Sequence, residues 1–248
     1  MNKNLIVVIM AGGLGKRMNS DLPKVLHCIK NKPMLVHVLE QSLLLKPIKI
    51  LIVVGKYKQM IAETLSKYID INGIIFVHQE EPLGTGHAIQ CCVEQLANFQ
   101  ENSTTLILSG DVPLLQHNTL TNFLKNNSNA NLITTLLDNP TGYGRIIEDN
   151  NMFTKIVEEK DCFPQEKLVK KVNCGIYAFN TELLCKYIVK LDNCNSQNEY
   201  YLTDIIKLIK LNEKNMIVDT FDIAKEIQYQ IMGVNTQEQL SELELYLK

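Results

Sequence analysis

The chain predicts an α/β fold: a Rossmann-like, doubly wound, mostly parallel mixed sheet with helices against it. Apolar runs rich in β-branched residues, at 5–10, 48–55, 73–77 and 104–110, alternate with helical patterns through the first half. From about residue 130 the texture changes to strands joined by turns, which makes the second half of the sheet mixed. A chain of 248 residues can bury one sizeable core, and no internal repeat or long Pro/Gly/Ser linker divides it. One domain is the economical reading.

Taken in order, the run LIVVIM at 5–10 has the length and composition of a buried parallel strand. It breaks into Gly12, Gly13 and Gly15, followed by Arg17 and Lys24. Pro33 opens the helical pattern MLVHVLEQSLLL, which ends before Pro47. The strand IKILIVVG closes on Gly55, and an amphipathic segment covers 59–69. The strand GIIFV then runs into HQEEPLGTGHA, and AIQCCVEQLANF at 88–99 is helical in spacing. TTLILSG ends on Gly110-Asp111, and 117–126 reads as a short helix. Beyond it, ANLITTLLD, GYGRIIED and MFTKIVEE read as strands with turns at Asn139-Pro140 and Asp149-Asn150. A polar loop or short helix at 162–171, the strand VNCGIYAF and a helix at 181–191 follow. After the asparagine-rich DNCNSQN, EYYLTDIIKLIKL predicts a helix, MIVDTF a strand, and a terminal helix opens at Asn235.

In such sheets ligands bind beyond the carboxyl ends of the strands. The glycine loop, the stretch from Gln79 to Gly86, and Asp111 each follow a strand, so all three should face one crevice. A buried strand opening into glycines presents successive backbone N–H groups as an anion trap, and Arg17 and Lys24 would strengthen it. Two better-known phosphate loops are excluded by spacing. A P-loop would need glycine at Met10 and a hydroxyl at Arg17, and the dinucleotide fingerprint would need glycine at Met18. The competing reading of the stretch is a tight turn flanked by two solvated cations.

Composition excludes other classes. Net charge is −2 and the sequence pI about 6.2, which leaves no nucleic-acid footprint and no basic membrane-surface patch. No apolar stretch approaches transmembrane length, so a cytoplasmic location is expected. The seven cysteines are odd in number and lack a Cys-x-x-Cys pair, which favours reduced thiols over disulfides or zinc. The five histidines show no metalloprotease pairing.

The series AGGLGKRMNSDLPKVLH, EPLGTGHA, GDVPL, NPTGYGRI, VEEKD, VNCGIYAF, EYYLTD and GVN, in that order, carries a resemblance. It resembles the sugar-phosphate nucleotidyltransferases, and within them the uridyltransferase domain of the bacterial bifunctional enzyme that makes UDP-N-acetylglucosamine. The resemblance runs from residue 5 to about residue 240. It implies transfer of a uridylyl group from UTP to N-acetylglucosamine 1-phosphate with release of pyrophosphate. Residues 1–110 would form mainly the nucleotide half and 111–248 mainly the sugar-phosphate half. The chemistry suits a site without a Ser–His–Asp constellation. The sugar phosphate is already anionic, and the barrier lies in bringing two negative reactants together and stabilising the leaving pyrophosphate.

The resemblance makes Arg17 and Lys24 the catalytic cations, and Asp111 with Asn235 the ligands of a Mg2+ cofactor. From the residues alone, Asp111 is a strand-end carboxylate that could equally be a turn former, and nothing pairs it with Asn235. The resemblance also implies nucleotide contacts from Met10, Ala11, Gly12, Gly13, Gln79, Gly84, Thr85, Ser109 and Gly110. Gln79 can complement a uracil imide, and glycine at 84 lets backbone approach the base. Sugar contacts are implied for Gly144, Glu158, Asn173 and Thr203, which otherwise read as strand-edge polar residues.

Departures from the family pattern fall at Leu14, Lys16, Pro82, Ser109 and Asn198, which leaves the nucleotide and sugar preference open. The bifunctional relatives continue into a hexapeptide-repeat β-helix that acetylates and trimerises. This chain has no such repeats, so neither property is expected. Transfer to another sugar 1-phosphate, such as glucose 1-phosphate, and a non-catalytic nucleotide-sugar sensor are the alternatives. A related glycosyltransferase would carry an Asp-x-Asp metal motif, and the chain has none.

Overall fold

The computed structural model describes residues 4–13, 15–18, 20–126, 128–150, 152–213 and 216–247. The departure at Leu14, and the side chain of Lys16, lie outside what is described. The first half runs β1 (Asn4–Met10), a small hairpin of β2 (Cys28–Ile29) and β3 (Lys32–Pro33), α1 (Met34–Leu44), β4 (Lys49–Val54), α2 (Lys58–Leu65) and β5 (Ile74–His78). It continues with α3 (Thr85–Gln90), α4 (Val93–Leu96), β6 (Ser103–Ser109) and α5 (His117–Phe123). The second half is β7 (Ala130–Leu136), β8 (Arg145–Asp149), β9 (Met152–Val157), β10 (Lys171–Asn180), α6 (Thr181–Ile188), α7 (Asp204–Asn212), β11 (Val218–Asp222) and α8 (Gln237–Glu244).

Among the described residues the main sheet has nine strands, with β11-β7-β10-β6-β1-β4-β5 in order and β8 and β9 attached through β10. β1 lies parallel to both β4 and β6, and β4 parallel to β5. β10 runs antiparallel between β6 and β7, which makes the sheet mixed where the sequence changes texture. The alternation along β1 explains the three layers. Ile6 and Val8 enter the core beneath α3 and α6, while Val7 and Ile9 enter the core beneath α1 and α2. A slip of one residue would exchange the two faces at every position, so burial on both sides fixes the register. A third cluster joins Met18, Ile29 and Met34 to Val234, Leu240 and Leu243, and so docks α8 on the β2–β3 hairpin.

Three elements differ from the sequence expectation. The helix expected at 88–99 starts earlier, at Thr85, and breaks after Gln90. Cys92 N–H turns back to the Ile89 carbonyl at 2.9 Å, a tightened turn that seats the Cys92 side chain in the core. The helix expected from 199 starts only at Asp204. The backbone of Tyr200 bonds across to another loop: its N–H donates to Leu83 O at 2.8 Å and its carbonyl accepts from Gly86 N–H at 2.7 Å. Those tertiary bonds outweigh the helical spacing of the sequence. The terminal helix is capped by Thr236 rather than Asn235, its side chain accepting from Gln239 N–H. All seven cysteines are free thiols, with Cys92, Cys174 and Cys185 buried. No helix among the described residues is long and apolar enough to cross a membrane.

One buried charge organises the β8–β9 ribbon. Arg145 is 1% exposed. Its guanidinium donates to Glu159 Oε2 at 2.6 Å and to the carbonyl of Tyr143. Glu159 also accepts from Gly142 N–H at 3.1 Å, so one carboxylate holds both the turn and the arginine. Burial works against the charge on Glu159, but the bonds from Arg145 and Gly142 outweigh it and lower its pKa. A depressed carboxyl pKa adds stability above the unfolded-state value and loses it as pH falls through the folded one. Glu159→Ala is therefore expected to lower the unfolding free energy by about 1.5–3 kcal/mol at neutral pH, the range for hydrogen bonds to charged groups. In urea titrations that deficit should shrink once pH drops below the ordinary glutamate value of 4.5.

Candidate active site

The ends of β1, β4 and β6 are drawn together by main-chain bonds beyond the ladder. Ala11 N–H donates to Val53 O at 2.8 Å, Gln79 N–H to Val54 O at 2.8 Å, and Gly110 N–H to Met10 O at 2.9 Å. They frame a crevice of about 230 Å³ at the carboxyl edge of the sheet. Met10, Ala11, Gly12, Gly13, Gln79, Gly84, Thr85 and Ser109 line it, joined by Lys24 and Asp111. Gly110 does not: a Cβ there would sit 3.1 Å from Leu35 Cδ1, so this glycine packs beneath the crevice floor. Pro82 and Glu199 complete the wall; sequence reasoning nominated Pro82 only as a departure and did not nominate Glu199.

Gln79 is 7% exposed. Its Nε2 donates to Gly84 O at 3.2 Å, and Oε1 lies over Gly12, 3.1 Å from where a Cβ would stand. His87 Nδ1 faces both Gln79 Nε2 at 3.2 Å and Glu81 O at 3.0 Å. The carboxamide's acceptor, Oε1, is the atom that lies over Gly12 on this wall. Gly84 has φ of +112°, and a Cβ on it would lie 2.6 Å from the carbonyl oxygen of Tyr200. Only glycine accommodates that contact. Thr85 Oγ1 accepts from Leu202 N–H at 3.2 Å, so the loop and the 199–203 segment form one unit.

At the other end of the crevice the cations and their partners meet. Lys24 Nζ is bonded to the Asp111 carboxylate and donates to Asn235 Oδ1 at 3.0 Å. Arg17 Nη2 donates to the same Asn235 oxygen at 2.9 Å. Gly15, at φ +58°, leaves room for the lysine: a Cβ there would stand 2.6 Å from Lys24 Cβ. Ser109 Oγ donates to Asp111 Oδ1 at 2.7 Å, so the residue nominated for the nucleotide also orients the carboxylate. Asp111 and Asn235 offer two hard oxygens of the kind Mg2+ takes alongside phosphate and water, and a cation already bridges them in the form of Lys24. The donor set therefore fits the metal. Among the described residues no group of three or more His, Cys, Asp or Glu forms a denser cluster.

The nominated sugar residues lie together. Thr203 Oγ1 donates to Glu158 Oε1 at 3.0 Å, and a Cβ on Gly144 would sit 3.4 Å from Glu158 Oε2. Burial raises the Glu158 pKa, with nearby Asp204, Asp161 and Glu199 adding to it against the Thr203 bond. Asn173 reaches Gly144 through its backbone, N–H to carbonyl at 2.9 Å. Its carboxamide is used internally, donating to Tyr177 OH at 2.6 Å and accepting from Gly175 N–H at 3.1 Å.

Comparison with known proteins follows the same lines. A family model described as nucleotidyl transferase matches residues 6–224. A protein of Acanthamoeba polyphaga mimivirus named "Probable UDP-N-acetylglucosamine pyrophosphorylase" is 43% identical, over 98% of this chain and 96% of its own length. The "Bifunctional protein GlmU" of Gloeothece citriformis is 42% identical over 95% of this chain, which spans 50% of that relative. A solved Bacillus anthracis structure, described as a candidate glucose-1-phosphate thymidylyltransferase in complex with a sucrose, superposes with a TM-score of 0.72 at 18% identity. It is covered over 94% of its length and 98% of this chain, and shows the shared fold.

The Gly84 contact carries a direct test. Gly84→Ala must push the Tyr200 backbone away, so it is expected to abolish nucleotide binding in calorimetry. The same variant should lower the melting temperature, because the Leu83–Tyr200–Gly86 bonds go with it.

Proposed function

The chain belongs to the nucleotidyl transferase family, and from that premise we propose that it transfers a uridylyl group from UTP to N-acetylglucosamine 1-phosphate. UDP-N-acetylglucosamine and pyrophosphate are the products. The observation that carries the reading is the junction of Arg17, Lys24, Asp111 and Asn235 at one end of a crevice whose other end is the Gln79–Gly84 wall. That arrangement offers a base-sized polar wall and a cationic end separated by a glycine floor. The mimivirus relative, matched nearly end to end, supports the choice of nucleotide and sugar.

Residues 1–110 act mainly on the nucleotide and 111–248 mainly on the sugar phosphate. Gln79 Oε1 accepts the uracil imide N–H, and backbone N–H groups of the glycine loop face the phosphates. A phosphate oxygen of the sugar substrate attacks the α-phosphorus, the bond to the β-phosphate oxygen breaks, and pyrophosphate leaves. No strong base is needed, because the attacking oxygen is already anionic. Arg17 and Lys24 swing from the Asp111–Asn235 oxygens to the triphosphate and stabilise charge as it develops. Asp111 and Asn235 would hold Mg2+, which supplies neutralisation of phosphate charge when bound. Glu158, with Thr203 and Gly144, receives the sugar hydroxyls. The partners are thus two small molecules. Free thiols suit a cytoplasmic location.

A panel of four nucleoside triphosphates against several sugar 1-phosphates, read as pyrophosphate release, tests the reaction. UTP with N-acetylglucosamine 1-phosphate should be fastest. A preference for glucose 1-phosphate would redirect the sugar assignment, and silence throughout would overturn the activity. Arg17→Ala and Asp111→Ala should each reduce kcat by about 10²–10³, the cost of losing one preorganised electrostatic contact.

Glu158→Gln separates function from stability. A carboxyl pKa raised on folding costs stability above the unfolded-state value and nothing below it. The glutamine variant should therefore resist urea better than the parent at pH 8, with the advantage gone below pH 4.5. Its KM for the sugar phosphate should rise, because the charged acceptor is lost.

A further inference from the structure

Asn235 lies outside the sheet ladder, in the short link that precedes α8, yet its Oδ1 is the acceptor shared by Arg17 and Lys24. Two tethers hold that link. On one side Val234 N–H donates to the Asp111 carbonyl at 2.9 Å, tying it to the loop after β6. On the other side Gln239 Oε1 accepts from Asn235 N–H at 2.7 Å. Gln239 belongs to the start of α8, where its own N–H donates to Thr236 Oγ1 at 3.3 Å. Thr236-x-x-Gln239 is a capping-box spacing, in which the side chain at the third helical position normally returns to the N–H of the capping residue. Here it reaches one residue further, past Thr236, to the residue that carries the site oxygen. α8 supplies a firm base for this, because Leu240 and Leu243 are buried with Met18, Ile29 and Met34.

We propose that Gln239 is a positioning residue for Asn235: its carboxamide holds the Asn235 peptide so that Oδ1 faces the Asp111 carboxylate. The proposal rests on Asn235 being a metal ligand, as read above. The physical logic is local. Asn235 has one backbone N–H, and while it is bonded to Gln239 the Asn235 peptide cannot turn away from the site. Partners that orient metal ligands typically govern metal affinity by about 10–100-fold when removed. The capping half of the motif is separable from the orienting half, since Thr236 makes the first bond and Gln239 Oε1 makes the second.

The test uses the full chain with UTP, no sugar phosphate and a Mg2+ series, so nothing turns over. The readout is the Mg2+ concentration at which the UTP-dependent rise in melting temperature is half complete. Gln239→Ala, and Gln239→Met as a bulkier variant without an acceptor, should raise that midpoint about tenfold or more. Gln239→Glu keeps an acceptor and should bring it back toward the parent. Thr236→Ala should lower the melting temperature of the free protein and leave the midpoint in place. An unmoved midpoint in both Gln239→Ala and Gln239→Met, with a raised one in Asn235→Ala, would overturn the proposal alone. An equal shift in Thr236→Ala would overturn it too, since fraying of α8 would then explain the effect. An unmoved midpoint in Asn235→Ala would instead remove the metal assignment, and the proposal with it.

Discussion

The structure depends most on the Lys24 ammonium held between Asp111 and Asn235. Three remote pieces of chain meet there: the loop after β1, the end of β6, and the link before α8. A carboxylate and an amide oxygen brought this close need a positive charge between them, and the chain provides it from its own lysine. The contact keeps opposite charges together at this end of the crevice. Ser109, bonded to the other oxygen of Asp111, orients the carboxylate.

A second constraint acts at the other end of the crevice. The backbone of Tyr200 lies so close to Gly84 and Gly86 that neither position tolerates a side chain. This contact couples the halves of the molecule. The Gln79–Gly84 wall of the crevice is braced by the same residues, 199–203, that lead to Thr203 and so to Glu158. The Gly84 loop and the Glu158 cluster share one short stretch of main chain.

Beyond the crevice, the β8–β9 ribbon is attached through β10 and held by the buried Arg145. A guanidinium in an apolar setting is costly unless bonded, and Glu159 and Tyr143 O satisfy most of it. The result is a rigid edge on which Gly144 and Glu158 stand. Glu158 itself is kept in a setting that disfavours its charge. The molecule thus accepts a local loss of stability at Glu158 and offsets it one residue away at Glu159.

By itself the sequence determined the β1–β6 half of the fold, because doubly buried parallel strands need long β-branched runs that little else resembles. It determined the direction of the crevice, since glycines and Asp111 follow strand ends, and it marked every crevice-lining glycine. What only the tertiary structure decided are the pairings between distant residues. Asn235 meets Asp111 because Val234 bonds to its carbonyl and α8 packs on the hairpin. Residues 199–203 give up a helical pattern because glycine at 84 and 86 opens a better set of bonds to Tyr200. Ser109 turns toward Asp111, and Asn173 toward Tyr177, because a nearby partner within hydrogen-bond reach outweighs any preference that the local sequence encodes.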